Sequence, residues 1–492
     1  MTTEDNLITQ RLKKLEEIRK LKIDPYPYSY NKTHNAEEIL NKFSEIKKEE
    51  KTNVKVSMAG RLMTIRKMGK ASFADLQDST AKIQLYIRED EVGNNQYELF
   101  NNLDLGDIIG IEGTVFRTKM GEISIWAKKL ELLAKSLKPL PEKWHGLKDI
   151  EIRYRQRYID MISNSVVRDT FIKRFEIIKV VREFLDNKGF IEVEIPTLQP
   201  QYGGANAKPF KTHINAWDIN LYLSISPELY LKRLIVGGYE KVYTLCKNFR
   251  NEDADTTHNP EFTMMECYQA YVDYNNMMEL TEDLYAHVAN KVFGTTKINY
   301  QGREIDLKKP WKRITMFEAI KIYGKIDVAE LSDKELYEKA KRLNLEINKT
   351  TPRGLIIQQL FEKLVEPQLI QPIFITDHPK ETTPLCKLKR GNKDLIERFE
   401  PFINGWEIGN AYSELNDPIL QKELLREQGE EGRGGNEEHH PMDEDFINAL
   451  EIGMPPTGGL GLGIDRMIML FTNSASIRDV ILFPTMKPQT DK

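Results

Sequence analysis

The chain has 492 residues, too long for one ordinary domain, so two or three are expected. Apolar residues make up 40% and charged residues 30%, which suits a soluble globular enzyme, and no apolar run approaches the roughly 20 residues of a membrane span. A net charge of −4 excludes whole-molecule attraction to nucleic acid, so any RNA contact has to come from local basic patches with salt-sensitive affinity.

The N-terminal Met1-Thr2-Thr3-Glu4-Asp5 lacks an apolar signal core or an Arg-rich transit pattern, which makes a cytoplasmic protein without a membrane partner the expectation. Residues 1–50 are expected to be a helical extension. Leu12, Leu15, Ile18 and Leu21 recur every three residues, and Pro25 and Pro27 close the helix. That helix either packs on the body or touches RNA. From residue 51 to 135 the pattern changes to short alternating segments such as Val54–Ala59, Ile83–Ile87, Ile108–Glu112 and Ile123–Trp126, punctuated by glycines. About five strands in so short a stretch predict a small β-barrel, most plausibly an OB-fold. Lys55, Arg61, Arg66, Lys67, Lys70 and Lys82 face only Asp75 and Asp78 there, with Phe73 and Tyr86 interleaved. That is either a solvated barrel face or a stacking groove for single-stranded nucleic acid.

Lys138-Pro139-Leu140-Pro141 marks a stiff linker over residues 136–150. Residues 151–492 then read as a long α+β domain. Phe171, Phe175, Ile178, Val181 and Leu185 form a helix stripe ended by Gly189, and Ile191, Val193 and Ile195 alternate as a strand up to Pro196. Residues 326–370 read as a helical insertion, and residues 426–441 as a mobile loop without a core of its own. Cys246, Cys267 and Cys386 are too few and scattered for disulfides or a cysteine zinc site.

The densest chemistry lies in Phe249-Arg250-Asn251-Glu252, His258-Asn259-Pro260-Glu261-Phe262 and Glu266-Cys267-Tyr268. A guanidinium, an imidazole, an aromatic ring and several carboxylates there suit a nucleoside triphosphate beside a zwitterion. No P-loop is present, so no glycine cradle holds the phosphates. The run Gly458-Gly459-Leu460-Gly461-Leu462-Gly463 leaves one strand face bare, either for close packing or for a flat ligand, with Arg466 following. Asn404-Gly405 predicts a hairpin that sets Glu407 opposite Phe402, two positions from Glu400. Two such carboxylates, diagonal neighbours about 7–8 Å apart at Cα, either form a solvated acidic face or converge on Mg²⁺. Asn410, Tyr412 and Glu414 share a face by period two, and a bulge at Gly409 would put Glu407 on it as well.

The order FRNE, HNPEF and E-x-Y closely resembles motif 2 of class II aminoacyl-tRNA synthetases in the lysine-charging form. Gly60–Phe73 is similar to the anticodon-binding barrel of lysyl-tRNA synthetases, and His145–Asp149 with Arg153–Tyr158 to the entry of their catalytic domain. Pro196 sits where motif 1 places a dimer-interface proline, and Gly461–Arg466 matches motif 3. The resemblance implies an N-terminal OB-fold followed by a catalytic domain built on an antiparallel β-sheet flanked by helices. It further implies a homodimer that joins L-lysine to tRNA(Lys) with ATP and Mg²⁺.

By that resemblance Arg250 contacts the α-phosphate and substrate carboxylate, Phe262 and Arg466 sandwich the adenine, Glu252 meets its amino group, and His258 touches the terminal phosphates. Arg250 and Arg466 are the catalytic pair, and Glu400 and Glu407 hold Mg²⁺. Gly204, Glu228 and Glu266 receive the α-ammonium, Asn410 assists with the carboxylate, and Tyr412 lines the lysine site. Glu414 and Tyr268 read the side-chain terminus, because a buried Glu is costly unless paired and an ε-ammonium pairs it. Phe73 and Gln84 are the anticodon residues. The loop Asp253–Thr257 is more acidic than the family pattern. An aspartate or asparagine synthetase, or a non-catalytic RNA-binding paralogue, shares the architecture. Glu414 argues against the first, and Arg250, Glu400, Glu407 and Arg466 against the second.

Overall fold

The computed structural model describes residues 3–141, 149–433 and 441–489. Two compact units divide the chain, Met1–Gly146 and Leu147–Lys492.

In the first unit, α1 (Thr3–Lys20) buries Leu15 and Ile18, whereas Leu12 stays 42% exposed. Its other inner residue is Arg11, whose Nη1 donates to the carbonyls of Ser136 and Lys138. This face of the helix packs within its own unit. A short α2 (Ala36–Lys42) follows, with Asn35 and Glu38 as a capping box. Five strands then close a barrel: β1 (Lys51–Met68), β2 (Ala71–Gln77), β3 (Lys82–Arg88), β4 (Ile108–Arg117) and β5 (Ile123–Ala134). Alternation drives it, as in β3, where Ile83, Leu85 and Ile87 point inward. The first strand is 18 residues, much longer than its alternating segment, and an irregularity between Leu62 and Thr64 bends it. One half pairs with β4 and the other with β2, while β3 and β5 run parallel to close the ring.

The second unit is built on one large sheet. After α3 (Ser165–Asn187) come β6 (Ile191–Glu192), α4 (Glu228–Val236), β7 (Lys241–Phe249), β8 (Glu261–Ala270), α5 (Tyr274–Val288) and β9 (Lys312–Thr315). The helical insertion carries α6 (Asp333–Arg342) and α7 (Arg353–Leu364). Next are β10 (Ile373–Pro379), β11 (Asn392–Ile403), β12 (Trp406–Glu407), β13 (Gly409–Ser413), α8 (Pro418–Arg433), β14 (Thr457–Gly463) and α9 (Ile464–Thr472). Strand order is β9-β10-β11-β13-β14-β8-β7-β6, antiparallel except for the parallel edge pairs β9–β10 and β7–β6. The chain is thus α+β, as expected.

One sheet face packs on α3, α5 and α9 through residues such as Val181, Leu284 and Ile468 with Met265, Cys267, Leu460 and Leu462. The insertion forms its own core with Ile373, Ile375 and Phe402.

Three sequence expectations change. Phe175 leaves the helix stripe and is 54% exposed, while Phe171, Val181 and Leu185 are buried. The strand expected over 191–195 shortens to β6, because pairing with β7 ends after the Val193 N–H bonds Tyr243 O and Pro196 lacks a donor. Residues 426–433 are helical rather than loop, continuing α8, whose Gln421 and Leu425 anchor it inside. Residues 434–440 of that stretch, and His145–Lys148, lie outside the described residues.

Candidate active site

Strand register places the site residues. Across three adjacent strands, Glu266 of β8 pairs Gly461 of β14, which pairs Asn410 of β13. Two residues along, Tyr268 pairs Gly459, which pairs Tyr412. Because side chains alternate, all these point away from the apolar core face. The glycines of β14 make the floor between two walls, and that floor is partly filled by the protein itself. A Cβ at Gly459 would lie 2.0 Å from Glu414 Oε1 and 2.5 Å from Tyr268 Cε1. Gly204 closes another side with φ +84, and a Cβ there would meet Ser226 Oγ at 2.9 Å.

The hairpin of β11 and β12 has the expected geometry. Asn404 and Gly405 both take positive φ, +56 and +74, and Phe402 pairs Glu407. Further along, Phe399 pairs Ala411, so the Glu407–Ala411 side holds one residue more than its partner strand. The bulge falls at Ile408–Gly409 and turns Glu407 onto the face of Asn410 and Tyr412.

One cavity of about 430 Å³ collects Gly204, Glu228, Arg250, Glu252, His258, Phe262, Glu266, Tyr268, Glu407, Asn410, Tyr412, Glu414 and Arg466. Glu400 stands next to it, buried, with Arg398 Nη2 donating to its Oε1. Phe73 and Gln84 belong to the barrel in the other unit.

At one end of the cavity, the β7–β8 loop delivers Arg250, whose guanidinium carbon lies 5.1 Å from the Phe262 ring centre. Its Nε is buried without a hydrogen-bond partner among the described residues, a donor left available. Arg466 Nη2 lies 3.0 Å from His258 Nε2, and Nη1 donates to the Glu407 carbonyl. A guanidinium only donates, so His258 Nε2 accepts and its Nδ1 carries the proton toward Asp255 Oδ2, 2.9 Å away. Burial would raise the Asp255 carboxyl, but hydrogen bonds from His258 and Thr257 hold it well below the usual range. The unexpected acidity of this loop thus serves to hold His258. Behind it, Asp465 accepts from Arg174 at 2.6 Å and from the Thr263 N–H at 2.7 Å, tying α3, β8 and α9 together.

Burial and the neighbouring Glu400 push the Glu407 carboxyl up to about 7. Glu366, after α7, is raised to about 8 by burial and by Glu400, Glu407 and Glu362. Among the described residues no group of three or more metal-ligating side chains converges on one point. A two-carboxylate set is the donor pattern of a hard divalent cation that completes its shell with phosphate oxygens and water.

At the other end three buried carboxylates, Glu228, Glu266 and Glu414, meet. Glu266 accepts from Ser226 Oγ at 3.0 Å and Tyr268 OH at 3.2 Å. Burial and Glu228 raise it to about 8. Glu414 is also raised to about 8 by burial, although Lys232 opposes the shift. Arg398 Nε donates to Asn410 Oδ1 at 3.0 Å, and Asn410 donates to Tyr412 OH at 2.7 Å.

Lys232 is the main residue that sequence reasoning missed. Its Nζ lies 2.6 Å from Glu228 Oε1 and 2.5 Å from Glu414 Oε2, with the side chain wholly buried. The i, i+4 spacing Glu228–Lys232 was a usable signal. Arg398, two positions before Glu400 on the same strand face, was another.

In the barrel, Phe73 pairs Tyr86 in register, rings 4.8 Å apart, and Trp126 lies 5.0 Å from Tyr86. Lys51, Arg88 and Lys128 surround Trp126. Gln84 is bonded to Glu122 and Ser124. Arg61 Nη1 instead bonds the Gly106 carbonyl, a use inside the barrel.

The fold and site define a class II aminoacyl-tRNA synthetase. A family profile described as tRNA synthetases class II (D, K and N) matches residues 149–487, and one described as an OB-fold nucleic acid binding domain matches residues 56–133. The chain belongs to the class II tRNA synthetases of this D, K and N group. It is 56% identical to the lysine–tRNA ligase of Carboxydothermus hydrogenoformans over 99% of both chains. It is 55% identical to that of Pelotomaculum thermopropionicum, over 99% of this chain and 96% of the relative, and 55% identical to that of Clostridium novyi, over 98% and 94%.

Proposed function

We propose that the protein joins L-lysine to tRNA(Lys) through a lysyl-adenylate, releasing pyrophosphate and then AMP. The observation that carries the amino acid is the pocket's charge. Glu228 and Glu414 share one buried ammonium, Lys232, while Glu266 bonds only hydroxyls and the lining guanidinium of Arg398 pairs Glu400, which leaves two carboxylates for two substrate ammonium groups. An aspartate or asparagine side chain brings no second cation.

In this reading Gly204, Glu228 and Glu266 take the α-ammonium, while Glu414 and Tyr268 take the ε-ammonium. Asn410, oriented by Arg398, and Arg250 fix the carboxylate beside the α-phosphate. The carboxylate oxygen attacks phosphorus in line and pyrophosphate leaves. Arg250 stabilises the charge that builds, and Phe262, Glu252, His258 and Arg466 hold the nucleotide. The 3′-hydroxyl of the terminal adenosine then attacks the adenylate carbonyl and AMP departs. No side chain has to act as a strong base, because orientation and charge stabilisation lower the barrier. Glu400 and Glu407 fit Mg²⁺, which neutralises phosphate charge when bound.

Arg250→Ala should lower lysine-dependent ATP–pyrophosphate exchange by at least about 100-fold, as loss of a charge-stabilising donor does. Near-normal exchange would refute the assignment. Exchange driven better by aspartate or asparagine than by lysine would overturn the substrate.

A homodimer through the region of Pro196 is part of the same proposal. Val166, Ile172 and Phe175 on α3, and Ile191 and Leu198 after it, are large apolar residues left between 48% and 69% exposed. Sedimentation of the full chain should give the mass of two copies, and a monomer at micromolar concentration would count against it.

A further inference from the structure

Behind the pocket wall lies a buried cation to which the reaction assigns no role. Lys232 sits on α4, four residues after Glu228, and the helix is anchored by buried Leu231 and Ile235. Its ammonium is fully enclosed and has Glu228 on one side and Glu414 on the other. Of the two Glu414 oxygens it meets Oε2, which leaves Oε1 over Gly459 on the cavity floor. Glu266, the third carboxylate, is satisfied by neutral hydroxyls alone.

We propose that Lys232 is a specificity-setting positioning residue: a built-in ammonium that cancels one of three converging carboxylate charges, turns Glu414 Oε1 toward the substrate, and so matches the site to an amino acid with two ammonium groups. This rests on the lysine reading above. With Lys232 the ionised cluster of Glu228, Glu266 and Glu414 carries a charge of minus two, equal and opposite to the substrate's two ammonium groups. Without it the charge is minus three, one buried carboxylate has no partner, and the cost of desolvating it opposes the bound form. Removing Glu228 instead leaves minus one, too little for a dication. Removing both restores minus two.

The test is a double-mutant cycle of Lys232→Met and Glu228→Gln in the full-length protein, read by ATP–pyrophosphate exchange as separate KM values for lysine and ATP, with thermal melts alongside. Wild-type protein is measured first. If it shows no lysine-dependent exchange, the lysine reading fails before the inference is reached. Each single variant should raise KM for lysine at least about tenfold, with KM for ATP within about twofold of wild type. The double variant should bind lysine at least about threefold better than either single one, because the charges match again. A Lys232→Met protein with lysine KM within about twofold of wild type overturns the inference, as does a double variant no better than both singles. If Lys232→Met does not fold, the comparison of Glu228→Gln with the double variant decides, since a neutral pair of similar volume is tolerated where a lone buried charge is not. A structural ion pair alone would move the melts and leave the split between the two KM values unchanged.

Discussion

Gly459 shows how closely single atoms are placed in this pocket. The nearest neighbours of a methyl group there would be a Glu414 oxygen at 2.0 Å and a Tyr268 ring carbon at 2.5 Å. Neither can step aside, because Glu414 is held by Lys232 and both side chains are buried. At Gly461 the corresponding contact is the flexible end of Met264 at 3.2 Å, and at Gly463 the nearest atom is 3.8 Å away. Alanine should therefore be graded along one strand. Gly459→Ala is expected to cost about 1–3 kcal/mol of stability, the range for overpacking a filled core, and to raise KM for lysine sharply. The same change at Gly461 should be milder and at Gly463 mildest. Equal kinetics for the three variants would contradict this account of the floor.

At the scale of elements, what was legible depended on how local the determining interaction is. The Asn404-Gly405 turn, the two-residue diagonal from Glu400 to the partner of Glu407, and the alternation in the barrel all follow from neighbouring residues, and all are present. The bulge could only be allowed by the sequence, since it exists because Glu407 and Asn410 must share a face while Ile408 enters the core. For Lys232 the sequence offered only the i, i+4 spacing to Glu228, because its second partner, Glu414, meets it through the tertiary fold. The last turns of α8 were misread because composition shows no core, whereas the residues that anchor the helix precede them.

The barrel carries a face suited to stacked bases. Phe73, Tyr86 and Trp126 form a continuous aromatic surface beside Lys51, Arg88 and Lys128, the platform that splayed bases stack on. Phe73→Ala is expected to weaken aminoacylation by about 1–3 kcal/mol of lost stacking while leaving ATP–pyrophosphate exchange unchanged. Gln84→Ala should act in the same direction and depend on the base it reads. Equal loss in both assays for Phe73→Ala would remove it from tRNA recognition.

For the molecule as a whole, the site sets a pH dependence of stability. Glu266, Glu366 and Glu414 are raised to about 8 and Glu407 to about 7, against an ordinary value of 4.5. As pH climbs from 4.5 toward 8, the unfolded chain has already released protons that the folded protein retains. The unfolded state then binds fewer protons, so stability present at low pH is lost as pH rises through the folded values. His378 acts oppositely, since burial holds it well below 6.5 and its contribution is lost only as pH falls below 6.5. Asp255 and Asp78 are held low, and their contributions fade only in acid. Between about pH 6.5 and 8.5 the raised carboxylates should therefore dominate, and the ligand-free protein should melt at progressively lower temperature. On the proposed reading lysine would bring ammonium groups to Glu266 and Glu414, and Mg·ATP a cation to Glu407, so bound ligands should reverse the trend. The rise in Tm on adding both should be larger at about pH 8.5 than at about pH 6.5, after allowing for ligand affinity at each pH. Melting curves with and without ligands at both values test this. A ligand-free Tm that is flat or rising across that interval would show that these carboxylates are already ionised in the free pocket.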